Sequence, residues 1–265
     1  MSYRPIQHYR GNEADLPQLM AGEIGVATDT KRLFFGAGGN QEVARVGYVP
    51  TMTTADIYYH VNSEGSDETG DGSEDKPFKT VQHALDLIPD FIRHTVTIHL
   101  ASGATFNEDI ITCRNHLGGD IAIESDEGRA TINCKYLAFS NISSHLELHY
   151  LDLISAGVTE LDRVLSISNC RYTMIRNTKI DGKSNGVRGF YILNSNVEIY
   201  EQSSASNTLA AIFLTGKATA KVYDLLPGSG NEIGMGVDSS IIFKAGTAMP
   251  AGETAEVEYN GGIIQ

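Results

Sequence analysis

Leu146-Glu-Leu-His-Tyr150 and Thr173-Met-Ile-Arg-Asn177 are two of six short runs in which alternate residues are mostly apolar. Alternation of this kind is typical of a β-strand that buries one face. The six runs begin 25, 27, 24, 23 and 20 residues apart, which indicates that one supersecondary unit is repeated along the chain. The other four runs are Ile121–Ser125, Val197–Glu201, Ala220–Asp224 and Ser240–Lys244.

A second set of strand-like runs lies between the first. Val164–Ser168, Gly189–Leu193 and Ala210–Leu214 begin 25 and 21 residues apart. An antiparallel sandwich would also use short alternating strands, but its hairpins place successive strands about 8–12 residues apart. The longer period favours a solenoid, and the chain is predicted to be an all-β protein with a right-handed parallel β-helix.

The outward-facing residues of the first set change character along the chain. Positions one and three of each run are predicted to face the core, and positions two and four to face outward. Exposed apolar columns usually mark an interface. We therefore select Tyr200, Tyr223 and Phe243 as candidate binding residues, in a contact between identical chains, as a glycan platform, or beneath a loop of the same chain. The full fourth-position column reads Glu124, His149, Arg176, Tyr200, Tyr223 and Phe243.

Composition excludes several classes of partner. The formal net charge of −13 would repel nucleic-acid phosphates, so no nucleic-acid partner is predicted. No segment approaches the roughly 18 consecutive apolar residues of a membrane helix, so no membrane insertion is predicted. The cysteines Cys113, Cys134 and Cys170 lack the spacing of a metal site or a disulfide framework and are interpreted as buried, reduced thiols. No metal site and no cofactor is predicted.

Carboxylates on neighbouring coils leave an enzymatic alternative open. Cleavage of a glycosidic bond requires two carboxyl groups about 5–10 Å apart in one groove. The candidates are Asp181, Glu198, Glu201 and Asp224. Acidic residues at turns and on outward faces are also expected for solubility, so no residue is assigned as catalytic. A polysaccharide depolymerase, either a glycoside hydrolase or a lyase, is the alternative function.

A helix is predicted before the repeat begins. Phe78, Val81, Leu85 and Ile88 recur at helical spacing, and Pro89 ends the pattern. Together with Asn62, Gly70-Asp-Gly72 and Lys76-Pro-Phe-Lys-Thr80, this segment resembles the opening of pectin-lyase-like β-helix proteins, including phage tail spikes. The resemblance implies that the helix caps the first coil, whose core and strand edges would otherwise be exposed.

The N-terminal segment carries a second resemblance. Glu23–Ala27 and Arg32–Phe35 flank the polar connection Thr28–Lys31, which predicts a β-hairpin. The longer stretch Leu19–Gly36 resembles a segment near the N-terminus of many bacteriophage tail-fibre, tail-spike and tropism proteins. The resemblance implies a structural virion protein of the phage tail, made in the host bacterial cytoplasm, that attaches to the host surface. It further implies a homotrimer, contact with a tail or baseplate protein through this segment, and binding of a host glycan.

Four segments are predicted from these patterns. Residues 1–52 form a virion-attachment and trimerisation region, residues 53–94 a capping strand, loop and helix, and residues 95–247 the parallel β-helix. Residues 248–265 leave the rhythm of the coils and are expected to form a C-terminal cap or clasp.

Overall fold

In the larger of two structural units, the chain winds in successive coils, and the strands of each coil pair in parallel with those of the next. The structure, a computed structural model, describes residues 8–45, 52–112, 116, 118–157, 162–200 and 202–265. The two compact units are Met1–Thr51 and Met52–Gln265, and their boundary falls one residue before the predicted end of the N-terminal segment.

Within the described residues, the larger unit contains three parallel sheets, of nine, seven and five strands. The nine-stranded sheet comprises Ile57–Val61, Thr95–Leu100, Asp120–Glu124, His145–His149, Tyr172–Arg176, Asn196–Ile199, Thr219–Val222, Ile241–Lys244 and Ile263–Ile264. The seven-stranded sheet comprises Ile110–Thr112, Leu137–Ser140, Arg163–Ser168, Arg188–Leu193, Ala210–Thr215, Ile233–Asp238 and Thr254–Tyr259. The five-stranded sheet comprises Thr105–Asn107, Ala130–Cys134, Leu151–Ser155, Lys179–Asp181 and Ser204–Ser206.

Strand register confirms the predicted parallel β-helix. Leu146 pairs with Ile121 on one side and Thr173 on the other, as the spacing predicts. The pairing of Thr173 with Val197, and of Val197 with Ala220, also agrees with the predicted spacing. In the second set the last step is one residue longer than predicted, because Phe190 is aligned with Ile212 and not with Ala211.

Columns of aliphatic side chains fill the solenoid. Ile123, Leu148 and Ile175, which are aligned in neighbouring coils, are each at most 1% exposed. Burial of this kind contributes about 1.5–3 kcal/mol for each large aliphatic side chain. The repeat therefore stabilises each coil through the coils on either side.

An asparagine ladder holds one corner of the coil. Asn141, Asn169 and Asn194 each adopt a left-handed backbone conformation, which asparagine tolerates better than most residues. Their side-chain amides bond from coil to coil at 3.3 and 3.1 Å. The same residue type thus supplies both the turn and a hydrogen bond between successive turns.

The predicted helix is present and spans Val81–Asp86. The Thr80 hydroxyl accepts a hydrogen bond from the backbone N–H of His83 and so caps the helix. The helix is shorter than the apolar spacing indicated, because Phe78 is extended and forms a bridge with Val61. Val81 and Leu85 belong to the solenoid core, as expected of a cap. In the described part of the chain, no helix is long and apolar enough to cross a membrane.

The prediction that residues 248–265 leave the coil rhythm is wrong. Thr254–Tyr259 extends the seven-stranded sheet and Ile263–Ile264 extends the nine-stranded sheet, both in parallel. The strand pattern of this segment was not recognised, because Glu256 and Glu258 occupy the positions aligned with the buried Met235 and Val237. Charged residues at these positions end the apolar core, so the segment is a final coil.

The N-terminal unit contains a four-stranded sheet. Its strands are His8–Gly11, Ile24–Ala27, Arg32–Gly36 and Asn40–Arg45, and a short 3-10 helix spans Glu13–Asp15. The predicted hairpin is confirmed, since the second and third strands are antiparallel. The first strand pairs in parallel with the second.

Candidate functional site

Two of the candidate tyrosines form a stacked pair on the outside of the nine-stranded sheet. Tyr200 and Tyr223 follow directly after two neighbouring strands, and their backbone N–H groups continue the ladder to Ile175 and Ile199. The ring centroids are 4.6 Å apart and the ring planes differ by 2°. Both side chains are half-buried. The structure therefore brings these two candidates together.

Phe243 does not lie in the same column, which corrects the sequence-based alignment. It pairs with Lys221, whereas Tyr223 is followed in the next coil by Ala245. Phe243 is 37% exposed and stands two positions along the strand from the place predicted for it. A shift of two residues preserves inward and outward alternation, so Phe243 still faces outward.

Cations flank the tyrosine pair. The Arg176 guanidinium lies 4.9 Å from the ring centroid of Tyr200, and the Lys221 ammonium lies 4.9 Å from that of Tyr223. Because Arg176 and Tyr223 belong to the coils on either side of Tyr200, they cover its two ring faces. Neither face of the Tyr200 ring is therefore free to stack against a sugar ring. The pair instead offers its ring edges, its hydroxyl groups and the adjacent cations.

Glu198 joins two phenols at this surface. The Tyr200 hydroxyl donates a hydrogen bond to Glu198 Oε2. This bond and partial burial raise the pKa of Tyr200, while burial, followed by hydrogen bonding to Glu198, raises the pKa of Tyr172 to about 12. We define the tyrosine patch as Tyr172, Arg176, Glu198, Tyr200, Lys221, Tyr223 and Phe243.

The tyrosine patch predicts a specific alkaline response. The folded-state pKa of Tyr172 lies above its ordinary value of 10.0, so its contribution to stability is present below pH 10.0 and is lost as pH rises toward about 12. Substituting Glu198→Gln removes the acceptor charge, and we expect both phenols to titrate at lower pH. Phenolate absorbance during a pH titration measures this shift. Glu253→Gln, at an exposed position, removes the same charge elsewhere and is expected to leave the titration unchanged.

Among the described candidate carboxylates, Asp181 and Glu198 lie on different sheets. Asp181 lies in the five-stranded sheet and Glu198 in the nine-stranded sheet. Partial burial raises the pKa of Asp181, but hydrogen bonds from Asn207 and Lys183 outweigh it and lower the pKa overall. Asp224 accepts hydrogen bonds from two backbone N–H groups of the following turn, which lower its pKa. Glu201 lies outside the described residues.

Two of the cysteines are buried thiols. Cys134 and Cys170 are at most 2% exposed and form no disulfide. Burial raises the pKa of Cys134 to about 12 and also raises the pKa of Cys170, so both remain protonated at neutral pH. Cys113 lies outside the described residues. Among the residues that the structure places, no three His, Cys, Asp or Glu side chains are close enough to hold a metal ion.

A second aromatic pair was missed by the sequence reasoning. Tyr191 and Phe213 lie on the outside of the seven-stranded sheet, with ring centroids 6.2 Å apart and planes within 8°. They occupy neighbouring strands in direct register. The signal was present, since both runs were recognised as strands, but the one-residue error in aligning them concealed the column.

The sheet of the N-terminal unit has two apolar faces. Phe34 and Ala27 are buried on the inner face. On the other side, Ile24 pairs with Phe35 and Val26 pairs with Leu33. Phe35 is 40% exposed although its neighbours on this side are apolar. We call Ile24, Val26, Leu33 and Phe35 the apolar outer face.

Residues 6–39 match the family model of the major tropism determinant N-terminal domain. The match covers the hairpin and the apolar outer face. The N-terminal unit thus carries a segment of the kind found in a phage tropism determinant. The match ends at residue 39, and the solenoid lies beyond it.

One solved structure similar to the chain is a rhamnogalacturonan lyase. It has 13% sequence identity and a TM-score of 0.41, and the similarity covers 77% of this chain. The chain spans 62% of the length of that structure, which is less than two thirds. No curated protein matches the chain significantly.

Proposed function

We propose that the chain is a structural protein of a phage tail that mediates attachment to the host cell surface. The observation that carries this proposal is the match of residues 6–39 to the tropism-determinant N-terminal domain. In this proposal the N-terminal unit joins the virion, and the solenoid is presented to the host. The protein is made in the host bacterial cytoplasm and becomes part of the virion tail as a fibre, spike or appendage.

The apolar outer face supports a contact with other chains. The inner core of the N-terminal unit contains three buried side chains, Leu19, Ala27 and Phe34, among the described residues. A small sheet gains little stability from so limited a core. We propose that the apolar outer face is covered by other copies of the chain in a homotrimer. Residues 1–52 also contact a tail or baseplate protein.

The tyrosine patch is the proposed host-facing surface. Phenol hydroxyls, a carboxylate and cations within one patch can donate and accept hydrogen bonds, which suits a polyhydroxylated ligand. A host glycan would bind at the edges of Tyr200 and Tyr223, with Phe243 beside Lys221 in the neighbouring column. The stacked pair fixes the positions of these groups before the ligand arrives, which limits the entropy lost on binding.

Adsorption of phage particles tests the proposed function. Particles produced without the chain are expected to adsorb to host cells much more slowly than complete particles, and supplying the full chain during assembly should restore adsorption. A variant with Tyr200→Ala and Tyr223→Ala is expected to enter particles normally but to adsorb slowly. Normal adsorption by particles that lack the chain would exclude the attachment role.

A further inference from the structure

Two arginines on neighbouring coils are held against the missed aromatic pair. Arg163 and Arg188 begin adjacent strands of the seven-stranded sheet and pair in direct register. The Arg163 guanidinium lies 4.2 Å from the ring centroid of Tyr191, and the Arg188 guanidinium lies 4.8 Å from that of Phe213. Stacking on rings fixes two otherwise flexible side chains in place.

Among the described residues, only one of these two arginines has a carboxylate partner. Arg188 forms an ion pair with Asp162. Among the residues described, Arg163 has no carboxylate partner, and its Nε is buried without a hydrogen-bond partner. Among the described residues, Asp162 is therefore the one carboxylate paired with either of these two cations, in a chain whose net charge is −13. A buried N–H donor without an acceptor is costly. Because this Nε is enclosed by the protein, an anionic ligand would bind at the terminal nitrogens of the half-buried Arg163 side chain.

Small side chains precede Tyr191 in its outward column. In the outward column that contains Tyr191, the two preceding positions are Ser166 and Ala138. Ser166 is 6% exposed, and the Arg163 side chain is half-buried. The hydroxyl groups of Ser166 and Ser168 lie 3.4 Å apart, and that of the half-buried Ser168 can bond to a further polar atom of a ligand.

We propose that Arg163 and Arg188 form a binding site for an anionic group, a carboxylate or a phosphate, carried by a glycan. A guanidinium presents two parallel N–H donors that match the two oxygens of such a group. The site lies on a different sheet from the tyrosine patch. The claim that a glycan carries the anion rests on the proposed attachment function. The claim that an anion is bound rests on the two arginines alone.

Binding to the purified full-length protein tests the site. The probes are a uronic-acid oligosaccharide, a glycerol-phosphate oligomer and an uncharged oligosaccharide of the same length. We expect at least one charged probe to bind and the uncharged probe to bind much more weakly. Affinity should fall with rising salt concentration, since the contact is ionic. The probe that binds more tightly identifies a carboxylate or a phosphate as the natural group.

Three variants separate recognition from loss of structure. Arg163→Gln is expected to weaken binding about tenfold or more, the usual effect of losing a charged hydrogen bond. Arg163→Lys keeps the charge but loses the paired donors, and should bind with intermediate affinity. Arg171→Gln removes the same charge at an exposed position before a strand of the nine-stranded sheet and should bind normally. Circular dichroism confirms that each variant is folded.

Two results would overturn the anion site. One is failure of both charged probes to bind, and the other is a loss of binding in Arg171→Gln equal to that in Arg163→Gln. Either result leaves the attachment function standing if particles still require the chain for adsorption. Conversely, the purified protein could bind a charged probe tightly while particles adsorb normally without it. This result would support the anion site and exclude the attachment function.

Discussion

Substituting Phe190→Ala is expected to lower the free energy of unfolding of the solenoid by about 3–5 kcal/mol. Phe190 is 1% exposed and is aligned with Leu165 and Ile212 in the coils on either side. Removing its ring leaves a cavity that two rigid neighbouring coils cannot close. The midpoint of denaturant unfolding, followed by circular dichroism, measures the loss.

Phe91→Ala is the matched control, because it removes the same group from a side chain that is 37% exposed in the same unit. Exposed positions usually change stability by about 0.5 kcal/mol or less. The two variants should therefore differ by several kcal/mol. Equal destabilisation would mean that the Phe190 ring is not inside the coils, which contradicts the solenoid register.

A charge on the apolar outer face is expected to abolish both trimer formation and entry into particles. Phe35→Glu places a carboxylate beside Ile24, its partner on the neighbouring strand. Burying that charge between chains would cost several kcal/mol, and the favourable burial of the ring, about 1.5–3 kcal/mol per copy, would be lost. Light scattering should give three times the 28.7 kDa chain mass for the unmodified protein and a single chain mass for the variant.

Ala37→Glu adds the same charge in an exposed turn of the same unit and controls for charge alone. This variant is expected to remain trimeric and to enter particles. Circular dichroism of Phe35→Glu should still show the β-structure of the solenoid. A clean monomer for the unmodified protein at micromolar concentration would exclude the homotrimer, and particle entry by Phe35→Glu would exclude attachment through the apolar outer face.

The coils could be predicted from sequence wherever apolar residues fill the inward positions. Ile121, Leu146, Thr173, Val197 and Ala220 follow one another at the predicted steps. The sixth run was placed two residues too early. Alternation repeats every two residues, so a shift of two preserves every inward and outward assignment and gives no warning. Backbone pairing was needed to show that Phe243 adjoins Lys221.

The final coil and the second aromatic pair were missed in the sequence for different reasons. Glu256 and Glu258 break the apolar pattern where the core ends, although the backbone continues to pair. Tyr191 and Phe213 were within recognised strands. Their stacking depends on the true strand register, which differs by one residue from the register predicted from the sequence. The partners of Glu198, which include the phenols of Tyr200 and Tyr172, could not be foreseen, because spacing predicts which face of the sheet a side chain is on but not its rotamer.

Gold labelling of intact phage particles tests the central claim most directly. One label is directed at the final coil, residues 254–264, and the other at the hairpin turn of the N-terminal unit, residues 28–31. If the N-terminal unit joins the virion and the solenoid faces the host, the first label should bind at the tail and the second should bind only after particles are dissociated. Absence of both labels from purified particles, or access to the hairpin turn but not to the final coil, would contradict the account.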